Sequence, residues 1–472
     1  MHFSRVLLLI VVFSITSLSA QVNSPYSRYG LGNIFPATFG ASNGMAGLSA
    51  AYFTPTNINY LNPASYSEIG FAIFDVGAAG NVVRLETATE KFTSGDGNLS
   101  YMAFGFPVLK KLRYHKFGLS FGLIPYSGIQ YNIIEQVPTE DPLLGTIEYN
   151  YVGDGTLYQF YGGLGYKYQT EIDSTKKKLK GDSAWVYHTN LFSIGANAAN
   201  LFGELSNITY ASFPDQINSQ TTKLTRTSRI NGGIFNYGLG YQKQFIRKND
   251  TDRDYLIWRA GASYSPELNV NGKQSVVWTN IEKNGNYEFI TDTLYAEPDT
   301  SGNINLPASY QGGISFSFQT TDNEDKNQFT LGAQYSKTMW SNYSGFQDAG
   351  TLADSWRVSI SAEFIPKRPD KSNAKNASSQ KSLYALRLGG YSGKSNLVVN
   401  GIQLNDAGIT MGASIPLGNA KSVSRAFVNS RLNLYLNAGQ RGTTDIIKES
   451  YYNFGIGFTL VDSGWFRKYK LN

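Results

Sequence analysis

Phe454-Gly455-Ile456-Gly457-Phe458-Thr459-Leu460 and Phe117-Gly118-Leu119-Ser120-Phe121-Gly122-Leu123 decide the fold. In both, a bulky apolar residue recurs at every second position, and the residues between are glycine, serine or threonine. That period of two belongs to extended chain, whose successive side chains point to opposite faces. Phe235, Tyr237, Leu239 and Tyr241 alternate in the same way with Asn236, Gly238, Gly240 and Gln242, and residues 314–318 and 358–364 repeat the pattern. Such runs extend to about ten residues, longer than the five or six usual in soluble sheets and matched to a tilted strand crossing a bilayer.

Composition points the same way. Aromatics make up 14% of the 472 residues, with 32 Tyr and 28 Phe, and charged residues only 16%. The mean hydropathy is nevertheless negative, −0.27. A membrane barrel reconciles the two, because every second strand residue faces lipid while its neighbours face a polar lumen. After the first twenty residues no stretch reaches the roughly 18 consecutive apolar residues of a spanning helix. The reading is all-β: a transmembrane antiparallel barrel of about fourteen strands, centred near residues 78, 103, 123, 162, 198, 236, 262, 314, 334, 360, 386, 412, 435 and 456. Aromatics near strand ends (Tyr126 and Tyr131, Tyr166 and Tyr168, Trp340 and Tyr343, Tyr451 and Tyr452) read as interfacial girdles.

Residues 1–20 read as a signal peptide. Arg5 supplies the positive start, Val6 to Phe13 the apolar core, and Ser17, Ser19 and Ala20 the small residues before cleavage at Gln21. Residues 21–68 form a plug or hatch, 69–461 the barrel, and 462–472 a periplasmic tail. With both termini periplasmic, the links at 110–114, 247–253 and 321–326 are short inner turns, and 133–154 and 273–307 are long outer loops. Two inner links, 170–188 and 367–379, are long and read as mobile excursions. The expected location is the outer membrane, with its lipid around the wall.

The absence of cysteine removes disulfides and thiolate metal sites. Net charge is +6, or +5 once Arg5 leaves with the leader, and the basic residues cluster in connections such as Lys110, Lys111 and Arg113. Solvated turns account for them, and nucleic-acid binding is not expected. Gly118-Leu-Ser-Phe-Gly122 matches a nucleophile pattern, but Ser120 lies inside an alternating strand where no strained elbow forms. The only histidines are His2, His115 and His188. No catalytic residue, metal site or cofactor is expected, and the chain does not read as an enzyme.

Ahead of the barrel, alternation gives way to Gly40-Ala-Ser-Asn-Gly-Met-Ala-Gly-Leu-Ser-Ala-Ala51, followed by Asn62-Pro63-Ala64. Small residues permit close approach to a crowded wall. Together with Phe117 to Tyr126, carrying Pro125, and Leu306-Pro-Ala-Ser-Tyr-Gln-Gly-Gly-Ile-Ser315, these stretches resemble the FadL type of long-chain fatty-acid and hydrophobic-compound transporter. The resemblance implies a hatch formed with Gly44, Gly47, Asn62, Pro63 and Ala64. It also implies a kinked strand at Pro125 and Tyr126 opening the wall sideways, and a hydrophobic small molecule as ligand. By alternation, Arg259, Arg357, Glu363 and Arg387 face the lumen, with Arg357 and Arg387 on adjacent strands. They brace the plug, or Arg357 or Arg387 meets the anionic head group of a ligand.

Two tails depart from that family: Ser24-Pro-Tyr-Ser-Arg-Tyr-Gly-Leu-Gly32 and Gly464-Trp-Phe-Arg-Lys-Tyr-Lys-Leu-Asn472. Both are expected on the periplasmic side or in the plug, where they could dock protein partners. That leaves an alternative to transport: a non-transporting barrel subunit of an outer-membrane secretion or assembly complex, as in the PorV-like relatives.

Overall fold

The computed structural model describes residues 24–108, 114–140, 145–179, 182–216, 219–248, 253–285, 287–322, 325–346, 352–366, 384–417, 430–444 and 447–462. A two-residue strand, β1 (Asn33–Ile34), belongs to the hatch. The remaining strands are β2 (Ala72–Glu86), β3 (Lys91–Val108), β4 (His115–Gly128), β5 (Tyr131–Pro138), β6 (Thr146–Gln169), β7 (Asp173–Leu179), β8 (Asp182–Ser212), β9 (Thr221–Lys248), β10 (Arg253–Ser265), β11 (Leu268–Asn284), β12 (Tyr287–Leu306), β13 (Ser309–Asp322), β14 (Asp325–Thr338), β15 (Ser355–Ile365), β16 (Ala385–Val399), β17 (Ile402–Pro416), β18 (Arg431–Arg441) and β19 (Lys448–Asp462).

Fourteen of these form the wall: β2, β3, β4, β6, β8, β9, β10 and β13 to β19. Neighbours pair antiparallel throughout, and β19 closes on β2 from Lys448↔Glu86 to Asp462↔Ala72. Each of the fourteen predicted centres falls in one of them. Closure removes the sheet edges that lipid could not satisfy. No helix among the described residues is long and apolar enough to cross a membrane; the strands do the crossing. The alternation sorts as expected, with Leu119, Phe160, Ile194, Leu239, Ile360, Met411 and Phe454 exposed on the outside while Asn197, Gln242, Ser315, Ser361 and Asn433 are buried inside.

Three expectations are corrected and a fourth is narrowed. The predicted outer loops 133–154 and 273–307 are largely strands. β5 pairs with the upper part of β6, and β11–β12 is a long hairpin that adds to the upper part of β9. With the adjoining ends of β6, β8 and β9 they form a sheet that extends past the closed part of the wall. Second, the inner link 170–188 contains β7, paired to the start of β8; 367–379 lies outside the described residues. Third, Tyr131, Trp340 and Tyr451 do not face lipid. They are buried, with Tyr131 bonded to Asn207 and Tyr451 to Tyr391, because a tyrosine at a strand end can turn its hydroxyl inward to a polar lumen. Fourth, of the two places expected for residues 24–28 the structure has them with the plug, at the end of the barrel where β4 finishes and β19 begins. The Tyr26 hydroxyl donates to the Ile447 carbonyl at 2.6 Å and Ser27 to that of Gln130 at 3.0 Å. Residues 1–23 and 463–472, with the leader and the C-terminal tail, lie outside the described residues.

Candidate functional site: the hatch and its seat

The hatch follows the inside of the wall in reverse strand order. Gly40 lies against β19 beside Gly457, Gly44 against Gly412 of β17, Ala46 against Gly389 of β16, Leu48 against Gly332 of β14 and Ala50 against Gly261 of β10. Pro63 reaches Gly195 of β8, and Tyr66 reaches Gly118 of β4. A Cβ at Gly118, Gly195 or Gly261 would collide with the hatch backbone itself. The inward glycines in the periplasmic half of the wall are thus a belt that lets backbone lie on backbone. Gly44 is needed for this approach. Gly47 is needed for its φ of +77°, since a side chain there would meet only Thr38.

Asn62 holds the turn into the last hatch segment. Its Nδ2 donates to the Ala50 carbonyl at 2.7 Å and to the wall carbonyl of Leu239 at 3.1 Å. Its Oδ1 accepts from the Ala64 amide at 3.2 Å, capping the short helical turn Pro63–Glu68 whose first position is proline. Wall amides complete the seat. Gln334 Oε1 accepts from the Ser49 and Ala50 amides, and Asn197 and Asn236 donate to the Tyr60 carbonyl.

The inward charges separate into two groups. Arg387 and Glu363 stand opposite each other on β16 and β15 and pair at 2.7 Å with side chains only 2% and 6% exposed; Tyr52 of the hatch donates to the same carboxylate. Arg259 donates to Gln242 and Ser317. Lys167 of β6 pairs with Glu68 at the hatch end, and Gln242 donates to that carboxylate as well. Burial alone would raise the Glu68 pKa, but the Lys167 charge and hydrogen bond, with Arg259 and Gln242, hold it below the ordinary carboxylate value. Arg357 lies apart. It is 42% exposed, pairs with Asp406 at 2.8 Å and stacks over the Tyr391 ring. Arg357 and Arg387 are therefore on adjacent strands but do not form one site. Sequence reasoning missed Glu68, Lys167 and Asp406, which carry no local signal beyond a lone charge near a strand or hatch end.

Above the hatch lies a cavity of about 500 Å³, bordered by Phe35, Tyr60, Gln159, Asn236, Arg357 and Asp406 among others. It is a mixed space, in which Leu61, Ile234, Leu306 and Trp340 line the wall beside the polar groups. Beside it the wall is incomplete. β3 and β4 pair only from Met102↔Leu123 down to Val108↔Phe117; higher up, β3 pairs with β2 alone. β4 is bulged between Pro125 and Ser127, and its freed edge is taken by the hatch. Asn33 and Ile34 pair with Gly128 and Ser127, and the Phe35 amide donates to the Tyr126 carbonyl at 3.0 Å.

Ser120 is fully buried and bonded to the Tyr161 hydroxyl at 2.9 Å. His115 meets Tyr166 and His188 the Phe245 ring, so these residues are not brought together. No group of three potential metal ligands occurs among the described residues.

The BamG family model matches residues 2–174 and 183–472. No curated protein matches. Among solved structures, the chain is similar to the Ralstonia pickettii toluene transporter TbuX (14% identity, TM-score 0.43, covering 90% of this chain and 99% of that one). It is also similar to the Pseudomonas putida toluene transporter TodX (12%, 0.41, 90% and 98%) and to a Pseudomonas aeruginosa FadL homologue (12%, 0.40, 90% and 98%).

Proposed function

The chain belongs to the BamG family, and from that premise we propose that this FadL-like outer-membrane barrel works as a closed, non-transporting subunit of an outer-membrane assembly or secretion complex. The observation that carries the reading is the seat of the hatch. Backbone rests on a glycine belt around the hatch end of the lumen, where Arg387 is paired with Glu363 and Lys167 with Glu68. Above the hatch the cavity is bordered by amides and ions as well as by aliphatic and aromatic side chains, so its apolar lining is interrupted. The sheet of β5, β6, β8, β9, β11 and β12 supports the same reading, since it carries Tyr287, Phe289 and Ile290 exposed past the closed part of the wall, where apolar patches mark contact surfaces.

Purification from native membranes in mild detergent, with mass spectrometry of proteins and small molecules, tests this. Stoichiometric protein partners and an empty lumen are expected. A lone barrel carrying a hydrophobic compound would overturn the reading.

One observation favours the second reading, transport of a hydrophobic compound: the seam between β3 and β4 at Pro125 and Tyr126, bordering the cavity and covered only by residues 33–35. In that reading Asn62, Pro63 and Ala64 act as a movable hatch, and Arg357, not the sealed Arg387, meets an anionic head group. Unchanged uptake of a labelled fatty acid by Arg357→Gln would count against that role.

A further inference from the structure

The lipid-facing side of the wall is not uniform. Across β6, β8, β9, β10, β13 and β14 a groove of about 770 Å³ opens outward. Its floor is made where Ala262 of β10 and Gly312 of β13 stand directly opposite each other. Tyr237 and Leu239 rise on the β9 side and Tyr335, opposite Gly312, on the β14 side. Their side chains are 41–57% exposed and point away from the lumen. The ladder is complete here, so no strand edge is on offer. The lining is almost wholly apolar, with Leu164 and Ile194 continuing it past β9, so a hydrocarbon chain can lie along it.

The extracellular end of the groove supplies the second, independent observation. Tyr264 and Tyr310 face each other above the floor. The same cross-strand row continues as Tyr310↔Lys337, Lys337↔Trp356 and Trp356↔Lys394. Lys337 shares Asp354 at 2.9 Å; Lys394 is exposed. Tyrosine hydroxyls, an indole and two ammonium groups against one carboxylate make a rim suited to a phosphate at head-group depth.

We propose that this groove is a lipid site, holding acyl chain of one anionic outer-leaflet lipid with its phosphate at the Tyr310–Lys337–Lys394 rim. The inference goes beyond the subunit reading and does not depend on it.

The test fills the groove without touching the hatch. A Cβ at Gly312 would have only the Gly261 carbonyl near it, at 4.0 Å, so Gly312→Leu combined with Ala262→Leu occupies the floor and spares the lumen. Barrels extracted from native membranes in mild detergent are washed with detergent and examined by native mass spectrometry, with heat-modifiable gel migration confirming folding. The wild type should retain one anionic lipid per barrel, and the filled variant should lose occupancy on the order of tenfold, the scale of a few methylene contacts. Lys337→Gln with Lys394→Gln should keep a lipid but lose the preference for anionic over zwitterionic species in mixed nanodiscs. Equal lipid retention by wild type and filled variant overturns the proposal. So does a wild type that retains none, or loss of a bound protein instead of a lipid on filling.

Discussion

The two halves of the lumen are closed by different means. In the lower half the hatch backbone lies against wall glycines, and two ion pairs are sealed there, Arg387 with Glu363 and Lys167 with Glu68, while Arg259 is held by Gln242 and Ser317. In the extracellular half a gap in the wall is covered by two bridged residues and one further backbone hydrogen bond. The first kind of contact cannot be loosened by degrees, because packed interiors respond to even a methylene. The second involves a few hydrogen bonds worth about 1 kcal/mol each.

The difference breaks most readily at the belt. Gly195→Val or Gly261→Val places a branched side chain against Pro63 or the Ala50 carbonyl. Neither side can retreat, so the loss should exceed the ~1–3 kcal/mol of ordinary overpacking. Heat-modifiable migration should show little folded barrel, whereas the same change at Gly312, which faces lipid, should leave it intact. Normal folding of both belt variants would mean that the hatch is not seated there.

Next in size are the two arginines. Arg387→Ala strands Glu363 in a buried site, and breaking a buried pair typically costs about 3–5 kcal/mol. Removing both partners should recover much of that. Arg357→Ala removes a pair that is part exposed and should cost under about 1 kcal/mol. Urea or thermal unfolding of the three variants ranks them, and equal losses at Arg387 and Arg357 would erase that distinction.

A smaller effect is expected at the seam. Phe35→Pro removes the amide that donates to Tyr126 and should lower stability by about 1 kcal/mol while exposing the β4 edge. The chain has no cysteine, so Ser127→Cys supplies a single reporter at a buried position. Maleimide labelling should be slow in that background and fast once Phe35→Pro is added. Unchanged labelling would show that the hatch strand does not cover the seam.

The wall was legible from sequence and the seat was not, for a physical reason. Lipid on one side and a polar lumen on the other impose alternation on every wall strand, which is why all fourteen centres were found. Once β11 and β12 extend past the closed part of the wall, nothing imposes it. Residues such as Asp292, Pro298 and Gly302 read as loop, yet the ladder continues through them with three register shifts. The small residues around Gly44 did announce close approach. Which wall glycines they meet depends on the path of the hatch around the barrel, and no local pattern records that. Likewise Arg387 and Glu363 were placed inward by alternation, but their direct pairing follows from strand register.

The least of the expected effects concerns pH, and it separates the halves once more. Glu68 has its pKa held below the ordinary carboxylate value by Lys167 and Gln242. A depressed pKa means the folded state favours the ionised form, so its contribution is present above the unfolded carboxylate pKa, about 4.3, and is lost as pH falls through the lower folded value. Unfolding followed from pH 7 downward should show stability declining below about pH 4.3, with part of that decline missing in Glu68→Gln. The Phe35→Pro variant, altered only at the seam, should keep the wild-type acid profile. If Glu68→Gln retained the full acid decline, the pair with Lys167 would not be among the contacts that hold the lower half shut.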